Sequence, residues 1–276
     1  LCVVLSFLSC KKSDQPSSEL AKIVGDYYEE QLKLNPTAAT ANGDNRYNDQ
    51  LNIDFTDSHR ALVKEMLEKY EKSLAGLNRA DLNANDQITY DLLTRDVKLG
   101  LEGLTYPDNL TPLNQFYGFH LTFAQLGSGQ VMQPFKTVKD YENWGKRMKK
   151  GVAYLDSSIV YFRRGMKEGY VLPKALVIKM IPQFTSFAVK DVKESTFYGP
   201  LKQFPADFSE ADKKRFTAEY TATIEKEVIP VYARLAAFLQ DEYLPKARTS
   251  TGISAVKNGA AYYQFLIRVL TTTDKP

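Results

Sequence analysis

The chain has 276 residues, of which 43% are hydrophobic, 12% aromatic and 25% charged, a globular composition sufficient for one large domain or part of a larger one. Its 36 Lys and Arg against 33 Asp and Glu leave a formal charge of +3, and the two signs are interleaved, so no basic stripe argues for a nucleic-acid partner.

At the front, Leu1 to Ser9 is apolar and ends in a small residue before Cys10, followed by the polar run Lys11 to Ser18. This resembles the end of a bacterial lipoprotein signal peptide; nine residues fall far short of the roughly 20 that span a bilayer as a helix. The resemblance implies cleavage before Cys10 and acylation of its sulfur and new amino group. Several acyl chains, each contributing about 0.8 kcal/mol per buried methylene, hold a protein on a membrane where one does not. Phe7 stands where the commonest form of the signal has leucine, and an ordinary cleaved secretory peptide is the competing reading. The expected organisation is a truncated signal peptide over 1–9, a tether over 10–18 and a helical body over 19–276. With Cys2 in the leader and Cys10 acylated, no thiol remains for a disulfide or metal site, so the fold must stand on its core.

From Ser18 the periodicity predicts long amphipathic helices. Leu20, Ile23, Val24, Tyr27 and Leu32 fall at helical spacing up to Asn35-Pro36. Leu62, Val63, Met66, Leu67, Tyr70, Leu74 and Leu77 form a second stripe, and a third helix is expected from Asn85-Asp86 with Ile88, Leu92, Leu93 and Leu99. Leu104 to Thr137 is broken by Pro107, Pro112, Gly118, Gly127, Gly129 and Pro134, and reads as one long irregular segment that is either a functional loop or hides short elements. Thr137 and Asp140 form a capping-box pattern for a helix bearing Tyr141, Trp144, Met148, Val152, Leu155, Ile159 and Phe162. Pro173 to Lys190 reads as a helix bent at Pro182. A long helix from Ser209 is expected to kink at Pro230. Tyr170 to Leu172 suits a short extended piece. Tyr262 to Leu270 reads as a last helix, and Thr271 to Pro276 as the cap of a further one, which together with the abrupt start suggests the N-terminal portion of a longer protein. The fold class is mainly α, an irregular bundle of long amphipathic helices with one long irregular loop segment.

Chemistry is sparse. His59 and His120 are the only histidines, and neither has a second His or a Glu at metal-ligand spacing. There is no Gly-x-Ser-x-Gly elbow and no phosphate-cradling glycine loop. In Asn35 to Tyr47, the residues Asp44, Arg46 and Tyr47 form either a structural turn around Gly43 or part of a cleft. Pro112 to His120 gathers amide, phenol and imidazole groups, either as a binding loop or as an aromatic loop folded on a core. Tyr262 and Tyr263 invite the same two readings.

The segments Asn35-Pro36-x-x-Ala39-Thr40 with Gly43-Asp44-x-Arg46-Tyr47, Pro112-x-x-Gln115-x-x-Gly118, Val228-Ile229-Pro230-Val231-Tyr232 through Phe238-Leu239 to Arg248, and Gly259-x-x-Tyr262-Tyr263 with Arg268 and Thr271-Thr272-Thr273 resemble, in order, the bacterial family of domain of unknown function 885. The resemblance implies a helical, secreted or lipid-anchored protein of the cell envelope, grouped with zinc metallopeptidases, about twice this length. It places the zinc site, a His-Glu pair followed by further histidines, in a C-terminal half. No catalytic or metal residue is therefore carried over. This chain is expected to be a non-catalytic helical portion forming one wall of the substrate cleft, with Gln115, His120, Tyr262 and Tyr263 as wall residues. Its implied partners are a membrane through the lipid, the rest of the same chain and a peptide-like substrate. The alternative is a non-enzymatic surface lipoprotein that binds peptide or oligosaccharide; the single Trp144 within a core-like stripe speaks against the sugar version.

Overall fold

The computed structural model describes residues 16–275, so the leader, Cys10 and most of the tether lie outside the described residues. Helices α1 (Ser18–Leu34), α2 (Pro36–Ala41), α3 (Asp57–Ala75), α4 (Ala84–Gly103), α5 (Phe119–Gly127), α6 (Val138–Glu168), α7 (Lys174–Phe187), α8 (Gly199–Lys202), α9 (Glu210–Thr223), α10 (Ile229–Ala237) and α11 (Gly259–Thr271) follow in order. Among the described residues there is no strand. Tyr170 to Leu172 is extended and leads into one parallel bridge between Pro173 and Arg248. The mainly α expectation holds.

The stretch expected as one body, 19–276, divides into two compact units. One holds the residues up to Gln31 together with Ala61–Thr105, and the other Leu32–Arg60 with the residues from Tyr106 onward. In the first unit Leu20, Met66, Leu67, Tyr70, Leu74, Leu82, Leu93 and Val97 are buried, and Tyr27 meets Tyr70 edge-on at 5.1 Å. Ile88 and Leu92, expected on the apolar stripe of α4, are exposed, because α4 turns Leu93 and Val97 inward instead.

The second unit is built around α6. Its start is the expected capping box: Thr137 accepts from the Asp140 amide, and the Asp140 carboxylate accepts from the Thr137 amide at 2.9 Å. It ends at Gly169, whose left-handed backbone (φ +74°) costs glycine little. The expected stripe of Trp144, Met148, Leu155 and Phe162 is buried, but so is a second one, Arg147, Tyr154 and Tyr161, spaced by seven and so nearly superposed two turns apart. The first stripe packs in the aromatic core with Phe123, Phe184, Phe197, Tyr232 and Tyr243. The second runs along the segment 36–57.

Leu104 to Thr137 hides short elements, a 3₁₀ turn at Asp108–Leu110 and the nine-residue α5, whose Phe123 and Leu126 are fully buried. Flanking glycines had masked a helix too short to show periodicity. The long helix from Ser209 passes through a π-helical turn, Ile224–Val228, just before Pro230, and a second, Phe238–Tyr243, follows α10. A wider turn there relieves the clash that a proline ring makes with the preceding turn. At the other end Thr271 closes α11 by donating to the Ile267 carbonyl at 2.6 Å, and Thr272 turns left-handed (φ 56°), so this threonine belongs to the last turn of one helix rather than to the cap of another.

Candidate functional site

The buried second stripe of α6 grips the segment 36–57 in register. Arg147 is fully buried and donates to the carbonyls of Tyr47 at 2.5 Å and Gln50 at 2.9 Å, to Thr40 Oγ1 at 2.9 Å and to Gln133 Oε1 at 2.7 Å. All these acceptors are neutral, and burial lowers its pKa to about 10. Two turns on, Tyr154 donates to Asp54 at 2.7 Å; two turns further, Tyr161 accepts from the Asp57 amide at 2.7 Å. Between them Phe55 meets both phenol rings nearly edge-on, at 4.9 and 5.0 Å.

This arrangement opens a polar cavity of about 420 Å³ in the second unit, lined among others by Asp54, Arg60, Asp108, Asn114, Tyr117, Tyr154 and Tyr262, within the size range of small-ligand sites. Its acids are not equivalent. Asp108 pairs with Arg60 at 2.8 Å, and Asp57, outside the lining, pairs with Arg164 at 2.8 Å. Asp54 has no cation within ion-pair distance among the described residues; its partner is the Tyr154 phenol, and burial together with this carboxylate holds Tyr154 protonated. The Tyr262 ring packs on Tyr106 at 4.9 Å, and burial, then the negative Asp108, raises its phenol pKa well above the usual value. The hydroxyls of Tyr117 and Tyr262 have no hydrogen-bond partner among the described residues. A second cavity of about 530 Å³ along α6 and α9 carries Glu142, Glu219 and Glu227 with Lys146, Lys149 and Lys226, so its charges balance.

The expected residues separate. Tyr262 lines the polar cavity, whereas Tyr263 is exposed beside it on α11 and is not among its lining. His120, expected on a cleft wall, is fully buried: Nε2 meets Gln183 Oε1 at 3.2 Å, its ring stacks on Phe184 at 4.3 Å, and burial lowers its pKa to about 4. Gln183 in turn donates to the Gln115 carbonyl at 2.8 Å. Gln115 and His120 thus hold the loop from behind, while Asn114 in front of them accepts from the amides of Phe116 and Tyr117 at 2.9 Å and fixes the turn that carries Tyr117. Asp44 accepts from the Arg46 amide and pairs with its guanidinium at 2.6 Å, with Tyr47 beneath that cation at 5.4 Å. With Gly43 at φ +82°, this is a self-satisfied turn. His59 is half-buried, and burial lowers its pKa against the opposing pull of Asp54.

Asp54, Arg60, Asp108 and Tyr154 escaped the sequence reading because no motif joins them. Among the described residues no three His, Cys, Asp or Glu side chains come together to hold a metal ion. No helix among them is long and apolar enough to cross a membrane.

The residues 36–276 match the family described as bacterial protein of unknown function, DUF885. The chain belongs to that family. No curated protein matches it in sequence. Its fold is similar to the crystal structure of a protein from Colwellia psychrerythraea described as a "putative lipoprotein", with a TM-score of 0.80 at 16% identity, over 95% of this chain and 47% of that one. This DUF885 chain therefore spans about half the length of that solved relative, and at such identity the likeness speaks of fold alone.

Proposed function

We propose that this DUF885 chain forms the helical, substrate-holding portion of a metal-dependent hydrolase of peptide-like bonds, and that the polar cavity around Asp54 is its contribution to the cleft wall. The observation that carries the reading is the convergence on one cavity of an ion-unpaired carboxylate and two phenol hydroxyls without protein partners. Polar groups that line one cavity without protein partners are free to bind a ligand there. The solved relative, about twice as long, supports the view that the reacting groups reside elsewhere. In this reading the zinc ligands lie outside the described residues. The residues described here bind and orient substrate, which lowers a barrier by fixing geometry rather than by chemistry of their own.

The same reading sets the protein in the bacterial cell envelope, held through acylated Cys10, in keeping with the name given to the Colwellia protein. The test is peptide hydrolysis by the full-length protein, released from membranes by detergent. The expected result is cleavage that a chelator abolishes and zinc restores. Cleavage indifferent to chelation overturns the metal dependence, and no cleavage favours the alternative of a non-enzymatic binding lipoprotein.

A further inference from the structure

Resting on the substrate-wall reading, we infer that the cavity recognises a protonated primary amine of the substrate, a peptide N-terminus or lysine side chain, with Asp54 as its counter-ion.

Charge selects this ligand class first. Arg60 neutralises Asp108 and also donates to the Tyr106 carbonyl at 2.8 Å, so its guanidinium is committed. Arg164 neutralises Asp57, which lies outside the lining. What remains is the single carboxylate of Asp54, half satisfied by Tyr154 at 2.7 Å. A carboxylate or phosphate entering the cavity would meet like charge; a cation would meet its complement.

Hydrogen bonding narrows the class further. An ammonium has three donors and no acceptor. Facing it are the second oxygen of Asp54 and the oxygens of Tyr117 and Tyr262, which have no partner among the described residues. The phenol rings that line the cavity add a surface that attracts cations, about 0.5–2 kcal/mol at such sites. The geometry is prearranged. Tyr154 is fixed by Phe55 at 4.9 Å and Phe119 at 4.1 Å, Tyr262 by Tyr106, and the Tyr117 turn by Asn114 and the Gln183 bond to the Gln115 carbonyl. A volume of about 420 Å³ leaves room for the residue that carries the amine.

The experiment is calorimetric titration of full-length, chelator-treated protein with alanyl-alanine amide and with its N-acetyl derivative. The charged form should bind at least tenfold more tightly. Asp54→Asn, which keeps the size and the bond from Tyr154, should erase that preference, and Tyr117→Ala, at an exposed position, should weaken the charged probe several-fold. Equal affinity for the two probes, or a preference that survives Asp54→Asn, overturns the inference. The two readings fail separately. Zinc-restored protein that cleaves free and N-acetylated peptides with equal kcat/KM overturns the amine site and leaves the hydrolase standing, whereas selective amine binding without any cleavage does the reverse.

Discussion

Tyr154 of α6 donates its phenol hydrogen to Asp54, one hundred residues earlier in the chain, at 2.7 Å. The bond is the middle one of three, with Arg147 on the carbonyls of Tyr47 and Gln50 before it and Tyr161 on the Asp57 amide after it. One helical face therefore sets the path of the segment that lines the cavity.

Tyr154→Phe keeps the ring contacts with Phe55 and Phe119 and removes only the hydrogen bond. Because Asp54 is exposed to water, the expected cost is modest, about 1 kcal/mol in urea unfolding. A loss several times larger would show that the pair is more deeply desolvated than its geometry indicates.

Arg147→Met should be far more costly. The variant leaves the half-buried carbonyls of Tyr47 and Gln50 and the buried Thr40 hydroxyl without their donor, with an expected loss of about 3–5 kcal/mol and faster proteolysis within residues 36–50. Arg147→Lys should rescue only part of this, since one ammonium cannot reproduce the planar fork.

A different kind of test concerns Gly165, inside α6. A Cβ there would lie 2.6 Å from the Tyr170 carbonyl and 2.8 Å from that of Leu110, both backbone atoms that cannot swing away. Gly165→Ala is expected to destabilise by about 1–3 kcal/mol and to push the Asp108 turn outward. Unchanged unfolding would mean that this close approach does not set the position of the loop.

The buried His120 gives stability a pH dependence. Its pKa is about 4 in the folded protein against 6.5 for a free imidazole, so between these values the unfolded chain takes up a proton that the native state refuses. Stability should fall as pH drops from about 7 to about 4 and level off below, with a contribution of about 3 kcal/mol. Urea midpoints of the wild type minus those of His120→Gln isolate this slope. A difference that is flat with pH would contradict it.

How much of this was legible in the sequence depends on the range of the interactions. The Thr137–Asp140 box and the stripe Trp144, Met148, Leu155 and Phe162 are local patterns, and both appear as read. The short α5 was hidden because glycines flank it and nine residues give too little periodicity. Arg147 sits beside Lys146 and Lys149 and reads as part of a solvated face; only the carbonyls of a segment about one hundred residues away make it a core residue. The cavity was half legible. Tyr262, expected on a cleft wall, lines it; Asp54 stands in a loop without a motif, and His120, also expected on a wall, has its ring stacked on Phe184 and bonded to Gln183.

The central claim is that the polar cavity holds substrate for a reaction carried out elsewhere in the protein. Steady-state peptide hydrolysis by zinc-loaded full-length protein, wild type against Tyr117→Ala, tests it most directly, since Tyr117 lines the cavity yet is exposed and bears no core contacts. The account predicts a KM raised several-fold with kcat little changed, the signature of lost substrate binding. An unaltered KM, or a protein that cleaves no peptide at all, would contradict it.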